Sequence, residues 1–257
     1  IRILEDYLGQ PLFTREARGV VLLPHAREYF AEVQSSLDRI AAATVAVKSP
    51  GGRRTLRVCT SPSLAMKWLI PRLGGFQSLA PDVDVQLSTM GRQFIDRADA
   101  TNDVVIQRMP MQRPEHTCVR VLDDYLLPVA SPRFIQNNRV HAAADCLGHP
   151  LLQVSGGMDA WPRWFGLAGL DVPPQLPGPV FDHQFLCMQA AMSDLGIALV
   201  PWCLLQEDVH ADRLRPLFAR PRLQGPGVYA QYRTDNPLAG LARQFIDWLG
   251  LQGHAGS

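Results

Sequence analysis

Between Ala26 and Val47 the positions Ala26, Phe30, Val33, Leu37, Ile40, Thr44 and Val47 follow one another at spacings of 4, 3, 4, 3, 4 and 3 residues. All but Thr44 are apolar, and the pattern lasts three heptads. The positions between them are polar or small, among them Arg27, Glu28, Glu32, Gln34, Ser35, Asp38 and Arg39. A strict repeat of this kind lays a narrow apolar seam along a helix, which calls for a partner helix. Pro24 suits the first helical position and Pro50-Gly51-Gly52 ends the helix in a linker. A helix of about 26 residues would be roughly 39 Å long. The spacing therefore predicts self-association through Phe30, Val33, Leu37, Ile40 and Val47.

Residues 1–8 (IRILEDYL) place Ile1, Leu4 and Leu8 on one helical face. Gly9 suits the position just past the helix end, and Pro11 blocks continuation. Leu12–Arg15 and Val20–Leu23 are β-prone runs around Glu16-Ala17-Arg18-Gly19, which predicts a hairpin with Arg15 and Arg18 at its tip.

From Thr55 onward the texture changes. A strand at Leu56–Thr60 precedes Ser61-Pro62-Ser63 and an apolar helical stretch that Pro71 should split in two. Strands then alternate with helices through strand Val228–Tyr232 and a closing amphipathic helix carrying Leu238, Leu241, Phe245, Trp248 and Leu249. This rhythm predicts α/β architecture with parallel sheet, in two halves of similar size.

The composition agrees with a chain that buries a core: 47% of the 257 residues are hydrophobic and 19% charged. No apolar run reaches the 18 or so residues of a membrane span, and residues 1–20 lack the apolar segment of a secretion signal. The net charge of +1 divides unevenly. Residues 1–57 hold nine Lys/Arg against six Asp/Glu, leaving 16 basic and 18 acidic groups in the rest. A basic end on an acidic body points toward a polyanion. Five scattered cysteines, with no CxxC, predict reduced thiols in a cytoplasm and no structural zinc.

The order of these parts resembles a LysR-type transcriptional regulator. The matching stretches are IRILEDYLGQPLFTREARGVVLLPHAREYF at 1–30, WLIPRLGGFQSLAPDVDVQL at 68–87, NDVVIQR at 102–108, LLPVASPRF at 126–134, HPLLQV at 149–154 and MQAAMSDLGIALVPWCL at 188–204. WLIPRL and HPLLQV…GPVFD resemble the branch containing glycine-cleavage and β-lactamase activators. Asp194-Leu195-Gly196 stands where the family often has a Gly-x-Gly spacing.

The resemblance implies a two-lobed effector domain like a periplasmic binding protein, behind a winged helix-turn-helix and a dimerising linker helix. Residues 1–23 would be the recognition-helix end and wing, and 24–52 the dimerisation helix and hinge. Residues 53–257 would be the effector domain, with lobe I at 53–130 and 233–257 and lobe II at 131–232. The base-reading part of the recognition helix is expected to precede Ile1. The intact protein is thus expected to bind DNA as a homodimer or homotetramer, with Arg2, Arg15 and Arg18 on phosphates.

In open α/β sheets ligands sit beyond the carboxyl ends of strands, near helix starts. Ser61 and Ser63 after the first strand, with Arg92 after the second, predict a cleft for a small anionic effector. Ser131 and Ser155 are the second lobe's counterparts. No cofactor or metal is expected. His25, His116, His141, His149, His183, His210 and His254 lack metal-site spacing, and neither GxSxG nor GxxxxGK[ST] occurs. These readings argue against an enzyme. The alternative is a two-lobed solute-binding protein of periplasmic type, which the heptad helix and the missing signal disfavour.

Overall fold

The structure is a computed structural model. It describes all residues except 17–18, 28, 31–32, 34–35, 38–39, 41–43, 45–52, 91–100, 111–112, 158, 174–175 and 255–257. The chain forms two compact units, Ile1–Arg54 and Thr55–Ser257.

In the first unit a helix at Arg2–Leu8 ends where Gly9 turns into left-handed backbone at φ 67°, a conformation glycine adopts without a Cβ penalty. Strands β1 (Phe13–Glu16) and β2 (Gly19–Leu22) pair antiparallel, with Phe13 opposite Leu22 and Glu16 opposite Gly19. Arg15 therefore lies within β1 opposite Val20, not at the tip as predicted. Glu5 ties the short helix to the hairpin: its Oε1 accepts the N–H groups of Leu12 (2.7 Å) and Phe13 (3.2 Å). His25 Nε2 bonds the carbonyl of Pro11 at 2.8 Å and fixes the hairpin's exit.

The described residues between 26 and 44 are helical. Ala26 is buried in this unit, while Phe30, Val33, Leu37 and Ile40 are exposed, Leu37 by 60%. Thr44, the polar member of the seam, returns its hydroxyl to the Ile40 carbonyl at 2.8 Å, the usual way a helical threonine satisfies itself. Val47 lies outside the described residues.

The second unit holds two mixed sheets. The first, in order β4-β3-β5-β13-β6, joins Val83–Thr89, Arg54–Thr60, Val104–Gln107, Val228–Arg233 and His116–Leu122. The second runs β11-β7-β10-β8-β9, from Arg215–Pro216 through Tyr125–Ala130, Ile197–Pro201 and Leu151–Val154 to Val180–Phe181. Strand β12 (Leu223–Gln224) also pairs with β7. Among the described residues, parallel pairing joins β3 with β5 and β8 with β9 and β10, so the expectation of parallel sheet is only partly met. Strand β13 runs antiparallel to both neighbours, and β7 antiparallel to β10.

This pairing moves the lobe boundaries. After a break at Asp123-Asp124, β7, expected in lobe I, joins the second sheet, not the first. Conversely β13, expected in the second lobe, belongs to the first sheet, and the chain returns to it through Gly225-Pro226-Gly227. Local alternation identifies a strand but not the sheet it enters, which long-range pairing decides.

Pro71 breaks its helix as expected, but in four pieces: α at Pro62–Leu64, π at Ala65–Leu69, 3₁₀ at Ile70–Arg72 and α at Leu73–Leu79. This segment packs between the sheets. One continuous apolar core takes in Leu56, Val58 and Trp68 from the first lobe together with Met188, Leu204 and Leu205 from the second. Strand β10 is buried on both faces: Ala198 and Val200 enter that core, while Ile197 and Leu199 enter a second one with Trp164 and Phe165. An all-apolar run is what a doubly covered strand requires. Gly196 leads into it at φ 155°, where a Cβ would lie 2.2 Å from the Pro150 carbonyl oxygen.

Candidate effector cleft

At the carboxyl end of β3, Ser61 has extended backbone (φ −72°, ψ 150°) and its oxygen accepts the Leu64 N–H at 3.4 Å. It is the N-cap the sequence predicts. Only three α residues follow before the π turn, so little dipole builds up behind it. Ser63 is buried, and its Oγ accepts the Phe185 N–H at 3.1 Å. This hydroxyl stitches the first lobe to the first turn of Gln184–Met192. The predicted cleft ligand at Ser63 is therefore an internal contact in this structure.

Ser155 follows β8 and is exposed, its N–H donating to the Phe181 carbonyl at 2.9 Å. Phe181 stands four residues before Phe185, so the segment 181–185 bridges the neighbourhoods of Ser155 and Ser63. Within it His183 occupies the N-cap position of Gln184–Met192 and stacks on Phe185, with ring centroids 5.7 Å apart.

Ser131 falls elsewhere. Because β7 runs antiparallel to β10 and β10 parallel to β8, the end of β7 lies where β8 and β10 begin. Ser155 lies where β8 ends, so the two serines occupy opposite edges of the sheet. Ser131 caps Pro132–Asn138 by accepting the Phe134 N–H at 2.9 Å. Strand order in sequence suggested equivalent positions; strand direction overturns that. Arg92 lies outside the described residues.

The sequence reading missed a cluster at the two chain crossings. Arg108, just past the end of β5, reaches Asp124 Oδ2 with Nη2 at 2.9 Å. Asp124 is buried and also accepts the N–H groups of Tyr125 (3.0 Å) and Cys203 (3.2 Å) on Oδ1 and the Cys203 thiol on Oδ2 (3.2 Å). Its carbonyl accepts the Gly225 N–H at 2.9 Å and the Gln224 side-chain amide at 3.1 Å. One aspartate thus fixes both crossings and the start of helix Trp202–His210. A Cβ at Gly225 would come within 3.0 Å of Arg108 Nη2 and 3.1 Å of the Asp124 carbonyl oxygen. Burial, reinforced by the Asp124 charge, pushes the Cys203 thiol well above its ordinary pKa, so it serves as a neutral donor and not as a nucleophile. Arg108 Nη1 is buried and has no hydrogen-bond partner among the described residues. Arg108 closes the NDVVIQR stretch, but its partner is 16 residues away across a sheet boundary that spacing does not reveal.

Among the described residues, two open pockets lie apart from this framework. One of about 350 Å³ is lined by Leu79, Arg243, Asp247, Trp248 and neighbours, the other of about 470 Å³ by Lys67, Gln189, Met192, Asp208 and Arg213. Neither is lined by Ser61, Ser155 or Arg108. Among the described residues no group of three metal-ligating side chains converges, and no helix is long and apolar enough to cross a membrane.

Two lobes joined by a double crossing, preceded in sequence by a helix-and-hairpin unit, define the effector-binding class of transcriptional regulators. Residues 49–252 match the LysR substrate binding domain family, and the chain belongs to the LysR-type regulators. It is 31% identical over 250 residues to the glycine cleavage system transcriptional activator of Escherichia coli (strain K12), covering 97% of this chain and 81% of the relative. It is 28% identical over 249 residues to the regulator TrpI of Pseudomonas aeruginosa, covering 96% and 84%. The effector domain of AmpR from Pseudomonas aeruginosa superposes with a TM-score of 0.69 at 25% identity, covering 79% of this chain and 97% of that one. CrgA from Neisseria meningitidis shares the fold across 100% of this chain and 88% of that one, with a TM-score of 0.64 at 20% identity.

Proposed function

We propose that this regulator responds to a small anionic metabolite held between the two lobes, at the edge where β3, β5 and β8 end. The observation that carries the reading is Arg108: a guanidinium at the end of β5 with one buried nitrogen that has no acceptor among the described residues. A buried donor without a partner is unfavourable by about 1–3 kcal/mol, and a carboxylate oxygen would relieve that. Ser61 and Ser155 stand at the neighbouring strand ends, and Arg92 follows β4 in sequence. Ser63 then acts as the stitch that senses the effector, not as its ligand.

In this reading the N-terminal unit contacts DNA phosphates through Arg2, Arg15 and Arg18, and Phe30, Val33, Leu37, Ile40 and Val47 pair the linker helices into a homodimer or homotetramer. Arg2 is exposed on its helix, and Arg18 lies outside the described residues. The protein works in the cytoplasm and carries out no reaction. The continuous core between the lobes makes wide opening costly, so the effector shifts their relative set by its differential affinity for two arrangements.

A thermal-shift screen of small carboxylates, amino acids and sugar acids, repeated on Ser61→Ala and Arg92→Ala, tests the site. Carboxylates should raise the Tm of the native chain and lose most of that effect in at least one variant. Hits confined to uncharged compounds would remove the anion from the reading.

A further inference from the structure

Away from the strand ends, the lobe seam carries a second polar feature. Asp208, on Trp202–His210, is fully buried, and Lys67, on the π turn of the first lobe, reaches its Oδ2 at 2.8 Å. Arg213 bonds Oδ1 through Nε and Nη2, each at 2.7 Å. The loop that returns Arg213 is tied down by the Asp208 carbonyl, which accepts the N–H groups of Arg213 (2.8 Å) and Leu214 (3.2 Å). These three charged groups line the cavity of about 470 Å³ together with Gln189 and Met192.

The donor count is unbalanced. A lysine ammonium has three N–H donors and an arginine guanidinium five, while Asp208 supplies the one carboxylate. Two cations on one anion leave a net charge of +1 at the cavity wall. Arg72, also on this seam, is turned away to Gln206 and the Trp68 carbonyl, each at 2.8 Å. The side chain of Lys67 is 18% exposed and that of Arg213 50% exposed, so both cations stay reachable by solvent while the Asp208 side chain, which lines the pocket, has no exposed surface. Gln189 adds an exposed amide and Met192 a half-buried apolar wall.

We propose that this cavity binds a small monocarboxylate with a short apolar tail, its oxygens on Lys67 and Arg213 and its tail on Met192. A monoanion neutralises the excess charge, whereas a phosphate dianion would leave −1 on a wall that already contains Asp208. The site straddles both lobes. Lys67 stands four residues after Ser63 and Gln189 four after Phe185, so the ligand would span the same two segments that Ser63 and Phe185 join at their starts. Occupancy would stiffen the seam, independently of any effector at the strand ends.

The test uses the full chain labelled with ¹³C-methyl methionine, with the Met192 resonance assigned from Met192→Leu. Propionate, inorganic phosphate and propionamide are titrated at constant ionic strength. Propionate should shift the Met192 methyl saturably, with phosphate weaker and propionamide without effect. Arg213→Gln should weaken propionate at least tenfold while the other methyl signals keep their positions, and Ser61→Ala should leave the response intact. A non-saturating shift, an equal response to propionamide, tighter binding of phosphate, or unchanged binding in Arg213→Gln would each overturn the proposal. Loss of the response in Ser61→Ala would do so as well, because the reporter would then be sensing the strand-end cleft.

Discussion

Ser131 donates its hydroxyl to Asp194 Oδ1 while the same oxygen accepts the Phe134 N–H at 2.9 Å. Asp194 has left-handed backbone at φ 62°, a conformation that favours glycine. The aspartate at the head of Asp194-Leu195-Gly196 thus keeps a glycine-like turn by anchoring its side chain on a helix cap, with Arg133 Nε at 3.5 Å from its other oxygen.

This anchoring makes the order of two substitutions predictable. Asp194→Ala keeps the strained backbone and loses the bond, and should destabilise the effector domain by about 1–3 kcal/mol. Asp194→Gly loses the same bond but relieves the strain, and should cost less. Urea unfolding of both variants checks the ranking; an alanine variant as stable as the native chain would show that the carboxylate does not hold the turn.

Glu5 sets a pH dependence in the first unit. Hydrogen bonds from Leu12 and then Phe13 hold its carboxyl below the ordinary value of 4.5. A folded-state pKa below the unfolded one means stability that is present above the unfolded value and lost as pH falls through the folded one. Protection of the Leu12 and Phe13 amides from hydrogen exchange should therefore fall on acidification below about pH 4.5. In Glu5→Gln the same amides should exchange faster at neutral pH and respond less to acid. Protection unchanged by acid in the native chain would count against the bond.

The exposed linker stripe predicts assembly. Leu37 is 60% and Ile40 61% exposed, so a charge at Leu37 should not damage the protomer. In a paired helix the same charge would be buried against its symmetry mate, at a cost of several kcal/mol, on the order of 3. Sedimentation at tens of micromolar should show a dimer or larger for the native chain and a monomer for Leu37→Asp. A monomeric native chain would remove self-association through this helix.

What the sequence disclosed was local. The cap at Ser61, the turn at Gly9, the hairpin and the break at Pro71 each follow from one or a few residues whose backbone preferences decide the matter. What it hid depends on pairing between distant segments. Nothing near Tyr125 or Val228 announces that the strands exchange sheets. Ser131 and Ser155 both follow β-strands and precede a helix or turn, yet antiparallel pairing of β7 puts them on opposite edges. The Arg108–Asp124–Cys203 cluster joins three segments that no spacing rule connects. Instead of a simple kink the segment has a π turn at Ala65–Leu69, which presents Trp68 to the core and Lys67 to Asp208.

Asp124 gives the sharpest energetic test, because its carboxylate is nearly fully buried and answers to both lobes. Asp124→Asn keeps the shape and one acceptor oxygen, so the Tyr125 and Cys203 N–H groups can still be met. What it removes is the charge facing Arg108 at 2.9 Å. Breaking a buried pair from one side leaves an uncompensated cation, at about 3–5 kcal/mol when both members are fully buried. The Arg108 side chain is 25% exposed, so water recovers part of that and the loss should fall near the lower figure. Removing both charges in Arg108→Gln/Asp124→Asn should then be less damaging than Asp124→Asn alone, since the desolvated cation goes with its partner. A urea-unfolding cycle over the two single variants and the double variant measures the coupling. Additive losses would mean that Arg108 and Asp124 act independently, and that the crossings are held by the Asp124 carbonyl and the helix start alone.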